Sequence, residues 1–246
     1  MSAPFTGVPT SRRHDWWSAD PYTRALRTGR GPLYLHRADG WLLPLDVERW
    51  CSRPDAADLT VLARCRGPVL DIGCGPGRLI TALAEQGRPA LGIDVSAEAV
   101  RRARRAGGNA LARSVFDPLP REGDWRTGLL IDGNIGIGGD PAALLTRIAE
   151  AVHPAAALIV ETAPDGAGDD LDEKVQVRLG NGIGAHSQYF PWSRVGISAL
   201  TRHAASAGWR PADTWTSSNR RFVALRRSPR QPAAPGDAAA EASGTP

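Results

Sequence analysis

The fold of this chain is decided by one stretch, Val69-Leu70-Asp71-Ile72-Gly73-Cys74-Gly75-Pro76-Gly77-Arg78. Three apolar residues and an acid predict a short buried strand. Glycines at alternate positions then lead into a helical pattern. Glycine allows positive φ in a tight strand-to-helix turn and lets backbone approach a ligand closely. The helix start also offers unpaired N–H groups to a polar or anionic ligand. The stretch therefore predicts a ligand-binding turn.

The glycine spacing argues against a dinucleotide site. The dinucleotide fingerprint needs glycines at its first, third and sixth positions. Here the sixth position is Arg78, and the third glycine falls one step early, at Gly77. Asp71 precedes the first glycine by two residues, where an acid would repel a pyrophosphate and attract an ammonium group. We therefore expect a ligand with a cationic end, which fits the methionine end of S-adenosylmethionine (SAM).

The segment resembles motif I of the class I SAM-dependent methyltransferases. The resemblance implies SAM as methyl donor and S-adenosylhomocysteine (SAH) as product. It also implies an α/β fold: a doubly wound, seven-stranded, mostly parallel sheet of order 3-2-1-4-5-7-6, with an N-terminal hairpin and helix cap. It is strong over about 67–162, and it assigns to the donor Asp71, Gly73, Cys74, Gly75 and Gly77. Elsewhere the chain resembles uncharacterised bacterial small-molecule methyltransferases, through Gly31-Pro32-Leu33-Tyr34-Leu35 and Phe190-Pro191-Trp192.

A second apolar run, Ala90 to Val95, predicts the next strand. Its acid, Asp94, lies about as far past the glycines as the ribose-binding acid of nucleotide folds. A carboxylate there can accept hydrogen bonds from both ribose hydroxyls. Val95 is included in the predicted donor site, although Asp94 could also be a plain helix-entry residue. Ser96 is typical of an N-cap for the helix that follows.

The third strand, 109–115, is expected to lead to the adenine. The family often places an acid after this strand, followed by a Leu-Pro pair. The pair is present as Leu119-Pro120, but the position of the acid falls nearer Ser114 or Val115. We therefore assign adenine recognition to Ser114 and the Val115 backbone, with Phe116 as a wall facing the ring.

The fourth strand, 128–131, opens into a glycine-rich loop over 132–141. Ligands of open α/β sheets bind at the carboxyl ends of the strands. Asp132, Gly133 and Asn134 are therefore expected to face the donor or the acceptor, although a long glycine-rich loop can also be a plain connection. Asp140 as N-cap with Pro141 after it predicts the start of the next helix.

Methyl transfer from a sulfonium needs a base only when the nucleophile must lose a proton. The candidate bases are His186, His36 and Asp132. Tyr34, Tyr189 and Trp192 are candidates for an aromatic acceptor wall, although aromatic residues also pack in cores. The hairpins that carry the histidines are predicted to cover the mouth of the site.

Composition narrows the class of protein. The chain has 246 residues, a formal net charge of +4 and three cysteines without metal-ligand spacing. An odd cysteine count argues against a disulfide framework, so a reducing cytoplasm is expected, with no metal site. No apolar run approaches the length of a membrane span. Arginines at 101, 102, 104 and 105 are read as a solvated helix face, which argues against a nucleic-acid partner.

The chain divides into four parts by composition and pattern. We predict a disordered N-terminus at 1–15, a cap segment at 16–66, a methyltransferase domain at 67–227 and a disordered tail at 228–246. The cap should hold a hairpin around Asp39-Gly40 and helices near 46–51 and 55–65. After a fifth strand at 156–162, residues 174–179 and 183–190 should form a second hairpin around Asn181-Gly182. A helix at 193–207 and strands at 211–217 and 220–227 follow.

The expected function is in-line methyl transfer from SAM to a small-molecule acceptor, such as a natural product or other secondary metabolite. Two alternatives stay open. An RNA or DNA methyltransferase would favour an appended binding domain or an Asn/Asp-Pro-Pro-Tyr/Phe motif after the fourth strand. A non-catalytic SAM-binding protein would share the same donor motif. The acceptor, the methylated atom and the oligomeric state are not determined by the sequence.

Overall fold

A computed structural model describes residues 20–228, which form eleven strands and seven α-helices. The strands are β1 (Tyr34–Arg37), β2 (Leu42–Pro44), β3 (Val69–Ile72), β4 (Ala90–Asp94), β5 (Ala110–Ala112), β6 (Trp125–Leu130), β7 (Val152–Glu161), β8 (Asp172–Gly180), β9 (Phe190–Val195), β10 (Trp209–Ser217) and β11 (Arg220–Arg227). The helices are α1 (Asp20–Thr28), α2 (Val47–Trp50), α3 (Ala56–Arg64), α4 (Arg78–Glu85), α5 (Ala97–Arg105), α6 (Pro141–Ala151) and α7 (Ile197–Ser206). The segments predicted to be disordered, 1–15 and 228–246, lie outside the described residues apart from Ser228.

The central sheet has seven strands in the order β10-β11-β7-β6-β3-β4-β5. The five strands from β3 to β7 pair in parallel, whereas β11 is antiparallel to both β7 and β10. Numbered along the chain within this sheet, the order is 3-2-1-4-5-7-6. The predicted fold class and strand order are confirmed.

Helices cover both faces of this sheet. All four residues of β3 are buried, as expected for a central parallel strand. Because side chains alternate along a strand, Leu70 and Ile72 pack with α6 and α7, whereas Val69 packs with α3 and α4. Ser96 caps α5 and Asp140 caps α6, with Pro141 in its first turn, so both predicted caps are confirmed. No helix within residues 20–228 is long and apolar enough to span a bilayer.

A second sheet of four strands, the cap sheet, has the order β2-β1-β8-β9. It joins the predicted N-terminal hairpin to the hairpin that follows the fifth core strand, through antiparallel pairing of Leu35 with Leu179. One face of the cap sheet carries Leu35, Leu179 and Phe190 into a buried apolar cluster with α1 and α2. The two hairpins are therefore one layer, although Arg37 and Glu173, whose side chains pair within it, lie 136 positions apart along the chain.

The second hairpin departs from its prediction. Residues 183–190 were expected to form its returning arm, but β9 begins only at Phe190, and 181–189 is a loop with one isolated bridge between Gly180 and His186. The Asn181 side chain bends this loop by accepting hydrogen bonds from the Ile183 and Ala185 backbone. Since Phe190, Trp192 and Val195 are the buried side chains, pairing starts later, and the helix predicted from 193 starts at Ile197.

Candidate functional site

A cavity of about 950 Å³ lies at the carboxyl ends of β3, β4 and β6, beneath the cap sheet. Its core-side wall contains most of the residues predicted to hold the donor, and its outer wall is largely apolar. The predicted donor residues that line it are Gly73, Cys74, Gly75, Asp94, Val95, Ser114, Val115, Phe116, Asp132, Gly133 and Asn134. Asp71 and Gly77 lie behind this wall.

The loop over 73–77, called the glycine loop below, has three glycines that each meet a different structural requirement. Gly73, Gly75 and Gly77 all have positive φ, at 73°, 53° and 91°. A Cβ at Gly77 would lie 2.6 Å from the Ala103 Cβ of α5, and one at Gly73 would lie 2.6 Å from Asn134 Nδ2. A Cβ at Gly75 would meet only the Tyr22 hydroxyl, at 3.8 Å, and would project where the cavity opens. The backbone at Gly75 is thus a cradle that a side chain would fill.

Asp94 ends β4 and fixes the loop from the opposite side. Its carboxylate accepts hydrogen bonds from Gly75 N at 2.9 Å and from Ser96 N at 2.8 Å. Burial raises the pKa of Asp94 to about 6, although these backbone donors act in the opposite direction. One carboxylate oxygen, Oδ2, therefore binds the glycine loop and the other, Oδ1, binds the start of α5, and the residue lines the cavity beside them.

Tyr22 of α1 was not predicted from the sequence. Its side chain is buried, lines the cavity and carries its hydroxyl beside Gly75. Burial raises the pKa of Tyr22 well above its ordinary value, and the negative charge of Asp94 raises it further. A neutral phenol at this position can donate a hydrogen bond to a polar ligand or accept one from it. The edge of Trp50 packs on its ring, with centroids 6.4 Å apart.

The segment after β5 forms one end of the cavity. Ser114 is buried, and its hydroxyl accepts a hydrogen bond from Phe116 N at 3.2 Å. This bond turns the chain so that the Phe116 ring faces Gly138, whose added Cβ would lie 3.1 Å from it. Val95 and Phe116 both line the cavity, and their apolar side chains suit contact with a flat heteroaromatic ring.

The loop after β6 holds the glycine loop in place. Asn134 donates from Nδ2 to the carbonyl oxygens of Ile72 and Gly73, both at 2.9 Å. Asp132 is bound by arginines, with Arg78 Nη1 at 3.1 Å and Arg49 Nη1 at 2.9 Å. Its carboxylate is thus already engaged by cations.

Two acids near the donor wall have pKa values displaced in opposite directions. Burial raises the pKa of Asp71 to about 7, against the lowering effect of the Arg78 charge. Asp58 of α3 is also buried, but hydrogen bonds from Arg78 and Arg220 outweigh that burial and lower its pKa to about 2. Asp71 is therefore the acid of this region that gains most from a nearby cation.

The predicted acceptor residues are divided between the two faces of the cap sheet. Trp192 lines the cavity, where it packs against Gly136. Tyr34 and His36 alternate with the inward Leu35 along β1, so they lie on the outer face. There His36 contacts His186, with ring centroids 5.0 Å apart, and Arg178 lies over the Tyr189 ring at 5.3 Å. None of Tyr34, His36, His186 and Tyr189 lines the cavity.

His36 has a further mark of a packed residue. Its Nε2 atom is buried without a hydrogen-bond partner among the described residues. Burial lowers the pKa of His36, and the neighbouring His186 and Arg178 lower it further. Within residues 20–228, no cluster of three or more metal-ligating side chains occurs.

Comparison with known proteins shows which fold and which family this cavity-bearing chain resembles. Residues 69–117 match the family described as a methyltransferase domain. A SAM-dependent methyltransferase from Bacteroides fragilis, solved with SAH, superposes with a TM-score of 0.70 at 18% identity, covering 86% of this chain and 96% of that one. The chain has the class I methyltransferase fold. The predicted resemblance is confirmed.

Two further structures with this methyltransferase fold are similar over less of the chain. The 1,6-didemethyltoxoflavin-N1-methyltransferase of Burkholderia thailandensis, solved with that compound and SAH, has a TM-score of 0.52 at 17% identity, covering 70% of this chain and 77% of that one. The CcbJ methyltransferase of Streptomyces caelestis has a TM-score of 0.54 at 16% identity, covering 73% and 92%. At these identities the similarity establishes the fold.

Proposed function

We propose that this chain transfers a methyl group from SAM to a small-molecule acceptor. The observation that carries the proposal is the pairing of Asp94 with the Gly75 backbone at the wall of the cavity. The Cβ-free cradle at Gly75 leaves space for the donor, and Asp94 can accept hydrogen bonds from its ribose hydroxyls. SAM supplies an activated methyl group on a sulfonium. The negative charge of Asp71 and Asp94 favours such a cation.

The acceptor is proposed to bind in the outer half of the cavity. That half is lined by Leu35 and Leu43 of the first hairpin, Trp50 of α2, and Phe190 and Trp192 of β9. A concave, mostly apolar wall with a few polar groups is the usual form of a small-molecule site. The second candidate substrate class, RNA or DNA, would need an open basic surface beside the methyl group, whereas the cap sheet covers this side.

The chain's contribution to the reaction is alignment and exclusion of water. Holding two reactants in line can supply roughly 7–11 kcal/mol of the barrier. The cap sheet closes the acceptor side, so we propose that it acts as a lid over the reacting groups. Asp132 is proposed to hold the loop in place and not to act as a base, because arginines already engage its carboxylate. His36 and His186 are proposed to stabilise the outer face of the lid.

The proposal has three further parts, on domains, location and acceptor class. We propose a cap segment at 16–66 and a methyltransferase domain at 67–227, with β8 and β9 of that domain completing the cap sheet. A cytoplasmic location is supported by cysteines that are all free in the described residues. A natural-product acceptor in a bacterium is supported by neighbours of the same fold, one of which was solved with 1,6-didemethyltoxoflavin.

Titration calorimetry with SAH, SAM and NAD tests the donor assignment. SAH and SAM should bind the parent and NAD should not. Asp94→Asn should weaken SAH binding by about 1.5–3 kcal/mol, the value of hydrogen bonds to a charged group. Asp213→Asn removes a carboxylate that pairs with Arg64 outside the cavity, so it should bind like the parent. Unchanged SAH affinity in Asp94→Asn would refute the proposal that Asp94 binds the ribose hydroxyls.

Turnover needs a separate measurement, because a non-catalytic SAM-binding protein would pass the titration. Incubating the parent with SAM and a bacterial metabolite extract should yield SAH and a product heavier by one CH₂, detected by mass spectrometry. Trp192→Ala should reduce product formation while keeping SAH affinity. Donor binding without SAH release across extracts and RNA would favour the non-catalytic alternative.

A further inference from the structure

Arg220 belongs to a closed ring of buried charges at the edge of the donor wall. Arg78 donates to Asp58 at 2.7 and 2.8 Å and to Asp132 at 3.1 Å. Arg220 donates to the same two acids, to Asp58 at 2.8 Å and to Asp132 at 3.2 Å. The exposed fractions of the Arg78 and Arg220 side chains are 4% and 12%, and that of Asp58 is 0%. Each acid is therefore shared by both arginines.

Arg220 also reaches a third acid that supports the same loop. It forms a two-point pair with Glu161 at the end of β7, with distances of 2.8 and 2.7 Å. Glu161 in turn accepts a hydrogen bond from Asp132 N at 2.7 Å. Arg220 thus holds Asp132 directly through its side chain and, by way of Glu161, through its backbone, while Arg78 and Arg49 bind the same side chain.

The turn before β11 explains how Arg220 reaches this place. Ser218 and Asn219 have φ of 49° and 61°, as in a type I′ hairpin turn, and Ser217 pairs with Arg220 across it. Because β11 is antiparallel to the core strands, its first residue lies at their carboxyl ends, where the donor site is. Its planar guanidinium carries five N–H donors in a fixed geometry, so it can pair with several carboxylates, one of them at two points.

The ring holds a backbone conformation that the donor site needs. Asp132 has φ of 59°, and Gly133 follows with φ of 81°. A left-handed non-glycine residue is strained and persists only when its surroundings enforce it. This turn directs Asn134 onto the carbonyl oxygens of Ile72 and Gly73. The contacts therefore run from Arg220 through Asp132 and Asn134 to the glycine loop.

We propose that Arg220 is a positioning residue for the donor site, acting through Asp132 and Asn134 on the glycine loop. The role in SAM binding rests on the proposed function, whereas the effect on the loop does not. Arg220 makes no contact with the glycine loop itself in any of its hydrogen bonds. Its effect is therefore on geometry and not on the reacting atoms.

Hydrogen exchange of the ligand-free chain tests the loop step directly. Arg220→Met and the milder Arg220→Lys should speed amide exchange at 132–136 and 72–75, while peptides from α6 and α7 keep parental rates. Arg226→Met is the matched control, because Arg226 lies on the same strand with its guanidinium on the exposed Ala155 carbonyl. It should leave both segments unchanged. Parental exchange at 132–136 and 72–75 in both Arg220 variants would overturn the proposal, as would equal acceleration throughout the sheet.

SAH titration of the same variants tests the donor step. We expect Arg220→Lys and Arg220→Met to weaken SAH binding by about 2- to 30-fold, the usual range for residues that act through others. Faster loop exchange with parental SAH affinity would overturn the role in donor binding. If the Arg220 variants speed amide exchange of the loop but the parent binds no SAH, the proposed function is refuted and the effect of Arg220 on the loop still holds.

Discussion

Replacing Gly75 by alanine should separate ligand space from backbone strain. The residue has φ of 53°, where an L-residue costs about 1–2 kcal/mol. For a chain of this size, that predicts a Tm lower by about 2–8 °C. The new Cβ would have only the Tyr22 hydroxyl nearby, at 3.8 Å, so the ligand-free chain can accommodate it. In the complex it would overpack the donor, which costs about 1–3 kcal/mol, or roughly 5- to 150-fold in SAH affinity.

Gly87→Ala supplies the matched control for this prediction. Gly87 has φ of 67°, is exposed after α4, and has nothing within 4 Å of an added Cβ. Its variant should lose a similar Tm and no SAH affinity, measured by scanning calorimetry and titration on the same preparations. If Gly75→Ala binds SAH as tightly as Gly87→Ala, the donor backbone does not pass this glycine, and the cradle argument is wrong.

Three further outcomes follow from the charges and from the cap sheet. SAH affinity should fall about tenfold per pH unit below about pH 6, because ribose hydroxyls bind the ionised form of Asp94 and the pKa of this acid is raised to about 6. In Asp94→Asn, calorimetry should show no such pH dependence. His36→Ala and His186→Ala should keep most of the methyl-transfer rate, since neither lines the cavity, and a large loss in either with normal SAH affinity would restore it as a candidate base. Asp58→Asn should destabilise the fold by about 3–5 kcal/mol at pH 7 in urea titrations. Because the pKa of Asp58 is lowered to about 2, its contribution is present above about pH 4 and lost towards pH 2, so the difference from the parent should narrow there.

The donor half of the fold was readable because its signals are local. Strand, acid and glycines lie within ten residues at 69–78, and all three glycines have the positive φ that a tight strand-to-helix turn requires. The N-caps Ser96 and Asp140 are local in the same sense. Alternating strands and helices with parallel crossovers predict a doubly wound sheet, whereas the strand order was supplied by the family resemblance.

Predicting the acceptor residues required knowing which face of each hairpin points into the cavity, and alternation along the strand does not by itself give that. Along β1, Leu35 points into the cap cluster, and Tyr34 and His36 point away from it. The period of two was visible in the sequence, and burying Leu35 would have placed both histidine and tyrosine outside. His36 was selected because histidine can act as a base, whereas the packing of Leu35 places His36 on the outer face of the cap sheet. The same rule could have identified Trp192 as inward and Tyr189 as outward of β9.

Arg220 shows why the supporting contacts of a site resist prediction. Its partner Asp58 is 162 positions away along the chain, on α3, and neither residue belongs to the glycine-rich motif. The turn at Ser218-Asn219 could have been read as a tight hairpin, which fixes Arg220 at the sheet edge. What no local pattern gives is that α3, β6 and β7 bring three carboxylates to that edge. In the proposed donor site, the motif therefore supplies the contacts, and distant residues such as Arg220 supply their geometry.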